Sequence, residues 1–496
     1  MQPDRPQTGL GPPATRSRIR VQDYDIHLIN LRTRLPFKYG IATMTLVPQI
    51  FVRLRIEIRG KTYVGTSADL LPPKWFTKDP SKSLEAEIME MLQVIQAALN
   101  LACGLAGTSA FDLWQQLYEK QLRWGSEHHL APLLTNFGCS LVERALIEAI
   151  CHAKGQSFPN ALRTDELSIR LEAIHPELLG ISPVDFLPEG PLTEITVRHT
   201  IGLVDPLTDL DISPDERLQD GLPQSLVASI QAYDLCHFKI KLAGNLDQDL
   251  DRLLRIAEIL QRDAGSDYAF SLDGNEQFKA VEDFRKLWEL ISNHPKLGPF
   301  IGHLLFVEQP FHRDVALQPS IEGAFRDWPS RPPIIIDESD ATMESLPVAL
   351  GLGYAGTSHK NCKGVFKGII NRALLLHRKR AQPSFPFLMT GEDLCNIGPI
   401  ALLQDLTVMA CLGIRSVERN GHHYNAGLSQ FPRGIQEQIL SHHSDLYHRS
   451  EAGWPTLKIA RGTIHLDSLL SAPFGVGFIA DMEEFSTLDN WRLPGS

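Results

Sequence analysis

A pair of lysines and three acids stand where apolar runs of this sequence stop: Lys239 and Lys241 in FKIK, Asp273 in SLDGNE, Glu308 in FVEQP and Asp337 in IIIDES. Each acid follows the previous member by about 30 residues, the length of one strand plus its crossover helix in a parallel βα array. Three carboxylates brought together repel, and they retain protons unless a cation joins them. An all-oxygen set of this kind suits magnesium, with manganese as its substitute. Lys239 and Lys241 are alternate residues of one strand, so their side chains share a face. A free lysine has a pKa of about 10.4, too high for a good base near neutrality. A second ammonium, a divalent cation and partial burial each disfavour its charged form. The pair thus reads as one fixed positive charge beside one proton acceptor. Taken singly, each acid equally fits a loop or a helix cap, and the lysines fit a solvent-facing strand. Glu338, adjoining Asp337, reads as a neighbour and not as a fourth ligand.

Residues so far apart converge only if their strands end at one mouth, as in a barrel of βα units. From Glu194 the pattern alternates strand and helix. The candidate strands are EITVRHTIGL, CHFKIKL, YAFSLD, HLLFVEQ, PPIIID, a polar one ending near Lys360, SFPFLMT and GIRSVE. Helical stretches are expected at about 246–263, 277–293, 342–352, 364–380 and 397–411, with Asp247 and Glu276 at the positive ends of the first two. No glycine-rich nucleotide turn follows the first strand, which disfavours an open doubly wound sheet. The fold class is α/β, a (β/α)8 TIM-like barrel. Upstream, 21–32 and 49–59 alternate apolar and polar residues as half-buried strands do, Gly60-Lys61 suits a hairpin turn, and helical patterns occupy about 80–101, 109–121 and 139–154. The division expected is a disordered leader over 1–20, an α+β capping domain over 21–155 and a connection over 156–193. The barrel over 194–440 and a segment over 441–496 complete it. In that last segment LKIARGTIHLD forms a further strand pair and returns to the cap.

The composition, 43% hydrophobic and 22% charged, is that of a globular chain. A formal charge of −11 argues against a nucleic-acid partner, and no polybasic cluster beyond HRKR near Arg378 invites an anionic membrane. That cluster falls late in a helix, where it complements the dipole. No apolar run is long enough to span a bilayer. Seven cysteines without a CxxC spacing indicate a reducing compartment and hence a cytoplasmic protein. A homo-oligomer is expected.

The order KxK, DxN, VEQP, DES resembles the enolase superfamily, within it the mandelate racemase/muconate lactonizing family and its muconate-cycloisomerase-like branch. PFKYGIATMTLVPQIFVRL is similar to that family's capping loop, CSLVERALIEAICHAKGQSF to its passage from cap to barrel, and RGTIHLDSLLSAPFGVGF to its C-terminal return. The resemblance implies that Asp273, Glu308 and Asp337 ligate magnesium. It implies that Lys241 is a base with Lys239 beside it, and that a second base stands on the sixth strand, Lys360 ahead of Lys363. Lys367 falls in the following helix. The implied reaction is removal of a proton α to a carboxylate, as in a racemase, epimerase or cycloisomerase acting on a small carboxylic acid such as an amino-acid derivative or dipeptide. An acid-sugar dehydratase and a non-catalytic enolase-like binding protein are the alternatives. A barrel metallohydrolase lacks its HxH pair here. Specificity is expected in the capping loops 38–48 and about 66–77, and in Glu392, Asp393 and Glu418. Asp393 equally suits a helix cap, Phe37 and Met44 suit either substrate contact or interdomain packing, and His422-His423 reads as a solvated loop. The chain departs from the family in its polar sixth strand, in GVFKG where a GG pair is usual, in an insertion at SNHPKLGPFIGH, and in GTSAD at the third cap strand.

Overall fold

The computed structural model describes residues 17–494. Three antiparallel strands, β1 (Ile19–Tyr39), β2 (Ala42–Ile58) and β3 (Lys61–Leu70), form the cap sheet in the order β1-β2-β3. Both outer strands of the first hairpin run further than the alternation indicated, so the expected loop 38–48 is the hairpin's tip, turning at Gly40-Ile41. The second hairpin turns at Arg59-Gly60, one residue before the expected pair. Their φ values of 53° and 73° give the doubly left-handed turn whose twist matches the flanking strands. Of the expected leader, residues 1–16 lie outside the described residues, and Ile19 and Arg20 already belong to β1.

Helices α1 (Leu84–Ala102), α2 (Ala110–Glu127) and α3 (Pro132–Lys154) complete the cap. Ser83 and Ser109 start the first two by accepting hydrogen bonds from Ala86 N and Asp112 N, both at 3.1 Å. In α3 every residue from Leu133 to Cys151 is buried, which explains its weak amphipathic pattern. Its polar side chains serve as fasteners. Arg144 holds Asp69 and Ala68 O at 2.8 Å, Glu148 accepts from Thr66 N, and Glu143 accepts from Phe366 N. One helix thus braces the end of β3, from which the expected loop 66–77 continues, and the chain just past Lys360. Burial pushes both Glu143 and Glu148 up to about 8. A carboxyl raised in the folded state contributes most below its ordinary range and loses that contribution as pH climbs through the raised value. The Tm is therefore expected to fall between pH 6 and pH 9, and Glu148→Gln to flatten that fall, as read by thermal unfolding across pH.

The unusual GTSAD places Gly65 against α3: a β-carbon there would meet Ala145 O at 2.0 Å and Ala149 N at 2.5 Å. Both obstacles are backbone. Gly65→Ala is expected to cost about 3 kcal/mol in urea unfolding, because sheet and helix must part to admit a methyl.

The barrel strands are Glu194–Ile201, His237–Lys241, Ala269–Asp273, Leu304–Glu308, Ile334–Ile336, Gly356–His359, Leu388–Gly391 and Ser416–Arg419. All pair in parallel, and the eighth closes on the first through Val417 and Val197. The fold is the expected (β/α)8 barrel with an α+β cap. A helix not foreseen, Leu226–Tyr233, links strands one and two, and SNHPKLGPFIGH forms the short helix Gly298–Ile301. Glu276 does not open a helix, which begins at Val281. It is buried and ion-paired with Arg313 and Lys78, tying the barrel to the cap loop. LKIARGTIHLD does not form one strand pair. Arg461 and Gly462, both at positive φ, fold it tightly, so Pro455–Leu457 pairs with Tyr447–Arg449 while Thr463–His465 lies along the first barrel strand. The return to the cap comes later, where Ser486-Thr487 pairs with β1 and Phe485 stacks on Phe51 at 4.8 Å. No helix among the described residues is long and apolar enough to cross a membrane.

Candidate active site

Register alone assembles the first part of the site. Lys241 lies opposite Asp273, and Asp273 opposite Glu308, so three neighbouring strands deliver them to one side of the mouth. Lys241 Nζ donates to Asp273 Oδ2 at 2.6 Å. Lys239, one layer deeper and 1% exposed, is ringed by Asp273 (3.0 Å), Glu308 (2.8 Å), Glu392 (2.9 Å) and Glu418 (3.1 Å). On the fifth strand, Asp337 is held by Gln309, whose Oε1 accepts from Asp337 N at 2.8 Å. Lys360 Nζ donates to Asp337 Oδ2 at 2.7 Å and lies 4.4 Å above the Trp75 ring. Lys363 also reaches Asp337, at 3.1 Å, but Ser358 O and Oγ engage it as well, at 2.7 and 2.9 Å. The two sixth-strand candidates therefore differ: Lys360 meets open space and Lys363 is a strut.

Lys241, Lys239, Lys360, Asp393 and Glu418 line one cavity, roofed by Phe37, Tyr39 and Met44 of the first hairpin and by Pro72 and Trp75 of the next loop. Phe37 lines the cavity and also stacks on Tyr424 at 4.2 Å, the interdomain packing that was one of its two readings. Lys241 and Lys360 come from strands two and six of eight, on opposite sides of the barrel. Glu392, expected at the substrate, does not line this cavity. Its carboxylate is taken up by Arg198, Thr390 and Lys239 inside the barrel. Glu418 does line it, fixed by Thr200 at 2.7 Å and Asn420 at 3.3 Å. Asp393 caps no helix: Cys395 N donates to it at 3.0 Å and Arg419 pairs with it at 3.0 Å.

Electrostatically, burial alone would lower Lys239 and Lys360, yet the surrounding acids outweigh it and hold both above the ordinary lysine range. This reverses the expected direction for these two. Burial would likewise raise Asp337 and Glu418, but the lysines keep both well below the carboxylate range. Glu308 behaves differently. Burial, then the charges of Asp273 and Glu392, push it well above that range, and its Oε2 accepts no hydrogen bond although Lys239 lies near. Glu338, pushed up to about 7 by burial and Glu276, faces Asn275 at 3.5 Å.

Among the described residues no three His, Cys, Asp or Glu side chains are grouped as a metal site. The expected trio is at the mouth but divided: Asp273 and Glu308 share Lys239, while Asp337 turns to Lys360 and Lys363. The donor chemistry nonetheless fits a hard divalent cation, with all-carboxylate donors and Glu308 left short of positive charge. Backbone strain marks the same place. Asn275 and Gln309, just past Asp273 and Glu308, have φ of 42° and 35°.

The polar sixth strand is explained by its partners. Thr357 donates to Asp340 at 2.8 Å, Ser358 to Asp337, and Lys367 reaches back from its helix to Asp340. His422 and His423 are not a solvated loop. They sit in the turn Gly421–Tyr424, with His422 Nε2 3.2 Å from His199 Nδ1, and burial pushes His199 and His423 down to about 3. Sequence reasoning missed Arg198 and Thr200, though alternate polar residues in a barrel strand are the same signal that marked the lysine pair. Trp75 and Tyr39 carried no signal beyond their place in the capping loops.

The architecture is a closed βα barrel whose charged mouth is roofed by an α+β domain. No family model matches this sequence, and no match is found among curated proteins. Solved structures share the fold. A mandelate racemase/muconate lactonizing enzyme from Bordetella bronchiseptica RB50 is 14% identical over 94% of this chain and 98% of its own, with a TM-score of 0.58. A dipeptide epimerase from Enterococcus faecalis V583 is 12% identical over 92% and 99%, with a TM-score of 0.56. An enolase from Pseudomonas fluorescens Pf0-1, with bound magnesium, potassium and tartrate, is 13% identical over 93% and 90%, with a TM-score of 0.54.

Proposed function

We propose that this chain is an enzyme that moves a proton at the carbon α to a carboxylate of a small acid, as a racemase, epimerase or cycloisomerase. One observation carries the reading: Lys241 and Lys360 line a single cavity from opposite strands, each beside a carboxylate at a strand end. In this reading Lys241 Nζ takes the α-proton on one face of the substrate and Lys360 Nζ serves the other. Lys239 adds fixed positive charge beneath the substrate carboxylate, where charge builds as the proton leaves. The roof of Phe37, Tyr39, Met44 and Trp75 excludes water, so those charges act at low dielectric. Asp273, Glu308 and Asp337 would hold magnesium. When bound, the ion supplies Lewis-acid stabilisation of the substrate carboxylate. The neighbouring folds named racemase, epimerase and enolase, one with magnesium, support the same class. The chain is further proposed to act in the cytoplasm, as a homo-oligomer.

The test is incubation in deuterated water with amino-acid derivatives, dipeptides and sugar acids as separate enantiomers, followed by NMR. Magnesium-dependent loss of the α-hydrogen is expected for one class, and absence of exchange from every class removes the proposal. A second reading, a binding protein on the same fold, is favoured by the mutual neutralisation of lysines and acids at the mouth. It requires that magnesium not bind, which calorimetry decides.

A further inference from the structure

Lys360 leaves the barrel just past the sixth strand, on the flexible four-carbon stem of any lysine. Among the described residues its ammonium makes one hydrogen bond, to Asp337 Oδ2 at 2.7 Å. That carboxylate is shared, because Lys363 and Ser358 donate to its other oxygen. A single contact fixes where the nitrogen sits only along one direction. The second anchor comes from the cap, where the Trp75 ring centre lies 4.4 Å from Lys360 Nζ. An ammonium has three N–H donors and no acceptor. The carboxylate takes one, the negative face of the indole attracts the charge from a second side, and the cavity that Lys360 lines is left for the third.

The cap loop is built to hold that ring still. Lys74, with φ of 65°, turns the chain just before Trp75, and its Nζ closes the loop on Asp79 O at 2.6 Å. Arg313 of the barrel grips the loop's backbone, donating to Trp75 O at 2.9 Å and to Phe76 O at 2.6 Å. Glu276 clamps Arg313 through both carboxylate oxygens, at 2.7 and 2.8 Å. The indole is 5% exposed and stands edge-on to Phe76, with ring centres 4.8 Å apart, and Phe76 packs on Phe137 of α3. Keeping water out of a cavity requires only apolar bulk. Pinning one ring through its own carbonyl to a buried ion pair of the barrel fixes its position as well.

We propose that Trp75 is a positioning residue for Lys360: the cap supplies the surface that aims this one base at the substrate. The inference rests on the proton-transfer reading and deepens it. The two bases then differ in kind. Lys241 is held by Asp273, within the barrel alone, whereas Lys360 is aimed only when the cap loop is docked.

Two measurements on the full chain test it. In the first, lysine labelled with carbon-13 at Cε is incorporated, the Lys360 signal is identified by its loss in Lys360→Ala, and its order parameter is read by relaxation. An ordered Cε is expected in the unaltered chain and in Trp75→Phe, and a mobile one in Trp75→Leu. A mobile Lys360 Cε in the unaltered chain overturns the proposal however the variants fold, and so does order that persists in Trp75→Leu. The second measurement is α-hydrogen exchange from each enantiomer in deuterated water, Lys360→Ala showing which enantiomer faces that lysine. Trp75→Leu should slow exchange from that enantiomer by roughly thirtyfold, the weight of a desolvated cation–π contact, and by far less from the other. Equal slowing of both enantiomers would make Trp75 a roof over the substrate and overturn the proposal. So would a further loss when Trp75→Leu is added to Lys360→Ala. Order lost in Trp75→Leu, in a chain that exchanges no acid, removes only the proton-transfer reading.

Discussion

Lys241→Ala and Lys360→Ala are each expected to lower racemisation by about a thousandfold or more, the usual weight of a positioned acid–base group. The structure makes this a clean measurement. Without Lys241, Asp273 keeps Lys239 at 3.0 Å, and without Lys360, Asp337 keeps Lys363 at 3.1 Å. Neither truncation strands a buried carboxylate, so folding should survive and the loss should report on chemistry. The two variants should also fail differently. With bases on opposite faces, each retains α-hydrogen exchange on the enantiomer presented to the surviving lysine and loses it on the other. NMR of both enantiomers in deuterated water reads this directly. Identical residual exchange from both enantiomers in both variants would exclude the two-base arrangement. Lys363→Ala serves as the comparison. It removes a strut held by Ser358, and should reduce stability more than it alters which enantiomer exchanges.

Lys239→Met is expected to destabilise the fold by about 3–5 kcal/mol, the range for breaking a buried ion pair by deleting one partner. Most of that cost falls on one group. Asp273 retains Lys241, Glu392 retains Arg198 and Thr390, and Glu418 retains Thr200 and Asn420, whereas Glu308 retains nothing. The sign of the pH dependence follows. Glu308 is already held well above its ordinary range, and removing the ammonium raises it further. An acid raised in the folded state gives its stabilisation at low pH and loses it as pH rises. Lys239→Met should therefore be more stable at pH 5.5 than at pH 8 in urea unfolding, with its deficit against the unaltered chain greatest at alkaline pH. Adding Glu308→Gln should recover part of it at pH 8, since an amide needs no counter-charge. A loss below about 1 kcal/mol at pH 8 would mean that the ring of four acids does not depend on this lysine.

Much of this was legible because it is local. Strand ends are marked by where an apolar run stops, and successive residues of a strand face opposite ways, so Lys239, Lys241, Asp273, Glu308 and Asp337 could be placed at one mouth from spacing alone. Lys360 followed from its distance past Asp337 and from the family resemblance. What failed had competing local signals. Glu276 carries the acid that a helix start favours, but a lysine and an arginine from elsewhere claim it. His422-His423 looks like a polar loop until the first barrel strand brings His199 against it.

The sequence by itself determined the barrel, its cap and the strand ends that bear charge, since periodicity and breaks in hydrophobicity are properties of neighbouring residues. Only the tertiary structure decided which acid each lysine meets, and that Glu392 serves the barrel interior while Glu418 and Asp393 face the cavity. Those outcomes depend on barrel closure, which sets the carboxylates of Glu392 and Glu418, at the ends of strands seven and eight, 2.9 and 3.1 Å from the Lys239 ammonium of strand two. Coulomb interactions at that range in a dry interior outweigh any preference written locally in the chain.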